Sequence, residues 1–161
     1  MVGLDRLWAG WRSAYVSAGE PVAGHGCTLC RVLDEADAVV WRGRLTAVIL
    51  NAYPYTSGHV MALPLRHVSE LEDLSGEEAS ELWGAVGDAV RAVKAAYSPH
   101  GLNVGANLGR AAGAGLPTHL HLHVVPRWDG DTNFMTAVAQ TRVLPESLDV
   151  TGDRLRNAWP S

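Results

Sequence analysis

The chain has 161 residues, 47% of them apolar and 19% charged, with a formal net charge of −4. That length supports one domain with a genuine core, and the composition is that of a globular protein in water. The acidic balance excludes the electrostatic footprint of a nucleic-acid binder, and no apolar run reaches membrane-spanning length.

The opening residues from Met1 hold no apolar stretch of signal-peptide length, so a cytoplasmic location is expected, where two cysteines stay reduced. Leu4, Leu7, Trp8, Trp11 and Tyr15 recur at helical spacing and predict a short amphipathic arm over 4–16. Residues 17–26 are rich in Gly, Pro and Ser and read as loop. Cys27 to Leu33 carries the thiol pair. Strands are predicted over Ala38–Arg42 and Thr46–Leu50, with Gly43 at the turn between them. A turn-rich loop, Asn51-Ala52-Tyr53-Pro54-Tyr55-Thr56-Ser57-Gly58, leads into a strand over His59–Pro64.

Ser75 with Glu78 makes a capping-box pattern. Leu82, Val86, Val90, Val93 and Tyr97 then follow at intervals of three and four, so one long helix is expected to end before Pro99 and Gly101. Gly101–Leu108 reads as a strand and Gly109–Gly115 as a small-residue loop. The polar tail from Asp129 carries a helical signal over Asp131–Gln140 and weak signals beyond. Strands broken by one long helix argue for an α+β domain with a mostly antiparallel sheet. One domain is expected over 1–161: arm and loop 1–26, core 27–135, tail 136–161.

The chemistry is concentrated in His119-Leu120-His121-Leu122-His123-Val124-Val125-Pro126-Arg127-Trp128. Read as a strand, this run sends three imidazoles to one face and Leu120, Leu122 and Val124 to the other. A neutral imidazole is a good nucleophile toward phosphorus, and its phosphoramidate product breaks down readily. Its second nitrogen must then donate to a carbonyl that fixes the tautomer. His121, flanked on both sides, is the natural nucleophile. The loop from Asn107 to Gly115 lies just upstream, and its small residues suit an anion nest of backbone N–H groups. The residues alone leave a rival open, because histidines at i and i+2 also hold catalytic metals.

The triad run followed by Pro126-Arg127 resembles the signature of the histidine-triad (HIT) superfamily of nucleotide hydrolases and transferases. The likeness extends over 27–135. Asn51, Ser57-Gly58-His59-Val60-Met61, Pro64 and His67 resemble its ribose-binding strand and loop. Asn107, Gly109 and Ala112-Gly113 resemble its phosphate loop. The arm Leu4-Asp5-Arg6-Leu7-Trp8 and the run through Trp128, Gly130-Asp131 and Asn133-Phe134-Met135 are similar to a bacterial branch that includes diadenosine tetraphosphate phosphorylases.

The resemblance implies a HIT-like fold: a five-stranded antiparallel sheet with one long and one short helix, paired as a homodimer. It implies cleavage of a dinucleoside polyphosphate by His121, with His123 and His119 completing the catalytic set and no organic cofactor. His123 is then expected at the α-phosphate or bridging oxygen, Asn51 at the ribose, and His59 in support. Asn107 and the backbone of Gly113, Ala114 and Gly115 are expected on phosphates, and Trp128 against the nucleotide. Many members carry Gln then Ser after the Ala-Gly pair, and the phosphorylase branch a Gly-Ser pair. Ala114 and Gly115 stand there in this chain, so the acceptor, water or phosphate, stays open. Duller roles are a turn cap for Asn51, an unusual backbone angle for Asn107 and packing for Trp128. The alternative functions are a purine nucleoside phosphoramidase and a nucleotide-binding protein with little activity.

Cys27-Thr28-Leu29-Cys30 supplies half of a tetrahedral zinc site. His67 and His119 are the expected other half, a set that some HIT proteins use for structural zinc. His25 is a substitute ligand, His100 reads as a loop residue, and a pair of reduced thiols without metal is the plain alternative.

Overall fold

The computed structural model describes residues 26–131 and 145–160. The amphipathic arm, His25, the signal over 131–140 beyond Asp131, and Asn133-Phe134-Met135 lie outside the described residues. Five strands form one antiparallel sheet: β1 (Val39–Arg42), β2 (Thr46–Leu50), β3 (Val60–Pro64), β4 (Gly101–Ala106) and β5 (Leu122–Arg127). Their order is β1-β2-β3-β5-β4. Three helices accompany them: α1 (Thr28–Val32), α2 (Gly76–Tyr97) and α3 (Leu148–Asn157). None is long and apolar enough to cross a membrane.

Strand alternation assigns each residue to one of two cores. Val48, Leu50, Val60, Ala62, Leu120, Leu122 and Val124 pack with Leu82, Ala85, Val86, Ala89 and Val93 of α2 and Leu155 of α3. Ala47, Ile49, Met61 and Leu63 face the other way and meet Leu29 and Leu33 at α1. The register pairs Met61 with His123, and His123 with Gly105 on its other side. His123 therefore stands on the face opposite α2.

The expected helix start is met in full: Ser75 caps the Glu78 N–H, and the Glu78 carboxylate accepts from the Ser75 N–H at 2.8 Å. Arg66 adds two charge-assisted bonds at 2.8 Å, which hold the Glu78 carboxyl down to about 2. The helix stops at Ser98, which takes a left-handed conformation (φ 45°) just before Pro99.

One expectation needs correction. The histidine strand begins only at Leu122, so His119 and His121 precede it. The β3–β5 ladder has its last pair at Ala62 and Leu122; two residues on, Pro64 has no N–H to offer, and Leu120 donates instead to Val68 at 2.7 Å. Among the described residues, α3 forms where the tail carried only weak signals. Ser147 caps its start, Asp149 sits in the first turn, and Arg154 and Arg156 sit in the last. Those cues were present, but a ten-residue helix with few apolar positions has little periodicity to read.

Leu82 is fully buried where α2 meets the sheet. Leu82→Ala is expected to lower unfolding free energy by about 2–5 kcal/mol in a urea titration, the usual cost of a core cavity.

Candidate active site

His121 lies just before β5 and is buried. Its Nδ1 is 2.7 Å from the carbonyl oxygen of His119. A carbonyl only accepts, so Nδ1 carries the proton and Nε2 keeps its lone pair. Burial pushes the His121 imidazole below the ordinary histidine value, which keeps the ring neutral.

A second chain of bonds fixes His123. The Tyr55 backbone N–H donates to His59 Nδ1 at 3.1 Å, so the His59 proton is on Nε2. That Nε2–H donates to His123 Nδ1 at 3.0 Å, which leaves the His123 proton on its own Nε2. Burial, and then the adjacent His121, lower the His123 value to about 4. His123 is thus a neutral hydrogen-bond donor beside the neutral His121 ring, with ring centroids 5.0 Å apart. The Tyr55 ring lies over this pair, 4.6 Å from His59 and 6.1 Å from His123.

His119 is turned to a different task. Its Nε2–H donates to Pro64 O at 2.9 Å, and its Nδ1 lies 3.4 Å from both Cys27 Sγ and Cys30 Sγ. His67 Nδ1 is 3.3 Å from Cys30 Sγ, and the four donor atoms lie within 4.8 Å of one another. A tetrahedral ion with ordinary Zn–S and Zn–N bonds needs ligand separations of about 3.5 Å, so this set fits a metal ion. Burial and the neighbouring Cys27 push the Cys30 thiol up to about 11. The three triad rings therefore do not share one ligand position, as a catalytic metal on all three requires.

The remaining expected residues are placed as follows. Asn51 pairs with His59 across the loop mouth, its N–H donating to His59 O at 3.3 Å. Its Oδ1 accepts from Tyr53 N at 2.9 Å and so caps the turn, while Nδ2 lies 3.4 Å from the His59 ring. Asn107 follows Ala106, the β-partner of Leu122, which sets it level with His121 in the register. Gly109 and Gly113 take positive φ (74° and 90°) around a 3-10 turn at Arg110–Ala112. The N–H groups of Gly113 and Ala114 close that turn, donating to Arg110 O at 2.9 Å and Gly109 O at 3.3 Å. Two N–H groups of the 107–115 loop, where an anion nest was expected, are therefore engaged within the loop. Trp128 stands beyond the far end of β5, about 17 Å of strand rise from His123. Its N–H donates to Asp131 at 3.2 Å. His100, expected as a loop residue, precedes β4 and pairs with Asp129 at 3.1 Å.

Residues 33–130 match the family model described as the HIT domain. The chain belongs to the HIT family. It is 43% identical to a Mycobacterium tuberculosis protein named AP-4-A phosphorylase, over 97% of this chain and 85% of that one. Among solved structures it is similar to a Zn-bound histidine triad family protein from Mycobacterium smegmatis. That likeness is 30% identity at TM-score 0.67, over 82% of this chain and 91% of the other. A hypothetical histidine triad nucleotide-binding protein from Sulfolobus tokodaii matches at 26% identity and TM-score 0.68 over the same shares.

Two groups of this HIT site had no local signal: the Tyr55 N–H on His59 and the Pro64 carbonyl on His119. Both are backbone atoms brought to the imidazoles by the fold.

The depressed His123 value carries a stability cost in acid. The unfolded chain takes up a proton near 6.5, and the folded protein refuses it until about 4. The stabilisation is therefore complete above pH 6.5 and is lost as pH falls toward 4. Urea titrations at intervals between pH 7.5 and 4.5 are expected to show this decline, and His123→Asn is expected to flatten part of it.

Proposed function

We propose that this chain is a nucleotidyl transferase/hydrolase that cleaves a dinucleoside polyphosphate, diadenosine tetraphosphate, at the α-phosphorus through a nucleotidyl-His121 intermediate. The observation that carries the reading is the His121 Nδ1–H bond to the His119 carbonyl, which leaves a buried, uncharged Nε2 as nucleophile. The likeness to the AP-4-A phosphorylase supports the substrate class.

In this mechanism Nε2 of His121 attacks phosphorus as the bridging P–O bond breaks and the rest of the polyphosphate leaves. His123 Nε2–H donates to the departing oxygen, steadying charge that grows in the transition state. Water or inorganic phosphate then attacks the same phosphorus, the P–N bond breaks, and Nε2 regains its lone pair. Asn51 is assigned to the ribose and Asn107 to the phosphates. The backbone of Gly113, Ala114 and Gly115 is assigned to the phosphates as well. Trp128 is assigned to the nucleotide as well.

The ion at Cys27, Cys30, His67 and His119 is proposed to be zinc. Four protein ligands leave no open position, so bound zinc ties α1 to the His119 end of the sheet and supplies no Lewis-acid step. A homodimer belongs to the same proposal. Residues 103–106 on edge strand β4 are exposed, Val104 at 43%, and α2 presents Trp83 at 55%, both surfaces that pairing would cover. A cytoplasmic location remains part of the proposal.

His121→Asn is expected to fold and bind nucleotide yet lose roughly 10³-fold or more in turnover. Undiminished turnover in that variant overturns the mechanism. Product analysis on diadenosine tetraphosphate assigns the acceptor: ATP plus ADP with phosphate present, or ATP plus AMP with water. Two ADP as the product place the attack at a different phosphorus and contradict the reading. Metal analysis is expected to find one zinc per chain, lost in Cys30→Ser. Chelation is expected to lower the melting temperature before it lowers the initial rate.

A further inference from the structure

The 51–58 loop carries the Tyr55 N–H and leads directly into His59, so its placement sets the proton chain that ends on His123. Close packing does not hold it. Behind it lies a cavity of about 220 Å³, lined by Pro54 and Ser57 on the loop side and by Glu146, Leu148 and Thr151 on the other. Besides the Tyr55 ring against His123, two contacts restrain the loop. Thr56 Oγ1 donates to Pro126 O at 2.8 Å. The Tyr97 ring presses on Gly58, where an added Cβ would lie 2.9 Å from two ring carbons. Gly58 has φ +82°, so both its backbone angle and the ring above it demand glycine immediately before His59.

Tyr97 is itself held from a distant part of the chain. Its phenol donates to the Glu146 carboxylate, whose side chain is 12% exposed. Glu146 also accepts from Thr151 Oγ1 at 2.8 Å and pairs with Arg154 at 3.4 Å. The Arg154 guanidinium lies 5.1 Å over the Tyr97 ring. Burial and this bond push the Tyr97 phenol up to about 12, so it stays a donor. Anchoring the tail needs none of this polarity. Trp41 stacks on Trp159 at 5.6 Å, and Leu155 is buried against the sheet core. A mostly buried carboxylate costs desolvation, and this one stands where the last turn of α2 touches the loop of His59.

We propose that Tyr97 and Glu146 are positioning residues: together they clamp Gly58 so that His59 Nε2–H meets His123 Nδ1, which aims His123 Nε2–H at the leaving oxygen. The proposal rests on the reaction assigned above. It extends the working site from the histidine face of the sheet to the C-terminal helix.

The test compares Tyr97→Ala, Tyr97→Phe and Glu146→Ala with the intact chain, using two readouts. The first is kcat/KM on diadenosine tetraphosphate and on a series of aryl esters of AMP with progressively better leaving phenols. Tyr97→Ala is expected to lose on the order of 10- to 100-fold on the dinucleotide, the scale set by a small misplacement of a reacting group. Across the esters, its loss should be greatest for the phenyl ester and smallest for the dinitrophenyl ester, because only poor leaving groups need the His123 donor. Tyr97→Phe and Glu146→Ala keep the ring and should fall between wild type and Tyr97→Ala. The second readout is the imidazole nitrogen NMR of His59 and His123. The Nε2–H tautomers should be single in wild type and mixed in Tyr97→Ala. An equal loss on every ester, or unchanged imidazole signals beside a lowered melting temperature, overturns the clamp and leaves a stabilising contact only. If wild type turns over no substrate, the reaction assignment fails, and the imidazole signals alone then support or overturn the clamp.

Discussion

An imidazole attacks phosphorus only while one nitrogen is bare, and in this chain a backbone carbonyl decides which one. The His119 carbonyl takes the proton-bearing Nδ1 of His121, so the bare nitrogen, the proposed nucleophile, is defined by a bond two residues away in sequence. The same logic recurs at each neighbour. Pro64 O takes Nε2–H of His119 and frees Nδ1 for the thiol pair. Tyr55 N–H takes the lone pair of His59 Nδ1 and hands the proton onward to His123. Four tautomers are thus assigned, leaving His119 Nδ1 toward the thiols, a bare Nε2 on His121 and a donor Nε2–H on His123, with His59 as the relay.

These capacities depend on burial as much as on bonding. A desolvated ring resists protonation, so His121 and His123 stay neutral where an exposed histidine begins to charge. Desolvation comes from the sheet, whose α2 face is filled by Leu120, Leu122 and Val124. The residues that alternate with the histidines are therefore the floor of the site. His119 joins the two halves of the arrangement, since its carbonyl serves His121 while its ring serves the cysteines.

Much of this was legible along the chain because it is periodic or local. The capping box at Ser75 and Glu78 and the stripe at Leu82, Val86 and Val93 mark α2 from within one segment. The two-residue alternation through His119, His121 and His123 survives although regular pairing begins only at Leu122. The Cys27–Cys30 pair was readable as half a ligand set with His67 and His119 as the expected other half, and the fold brings the four together. Illegible were contacts between distant segments: Tyr97 with Glu146, and Thr56 with Pro126 O. Helix α3 was obscured for another reason, since it is mostly polar and docks through Leu155 and a tail stacked on Trp41.

The order of residues by itself determined the element types, the two-faced sheet and the inventory of imidazoles and thiols. Each follows from side-chain period and turn chemistry within a few neighbours. Only the tertiary structure decided what each imidazole can do. A ring nitrogen's role is set by the atom opposite it. For His59, His119 and His123 that atom belongs wholly or in part to another strand or loop, delivered by strand register and the end of a proline-terminated strand.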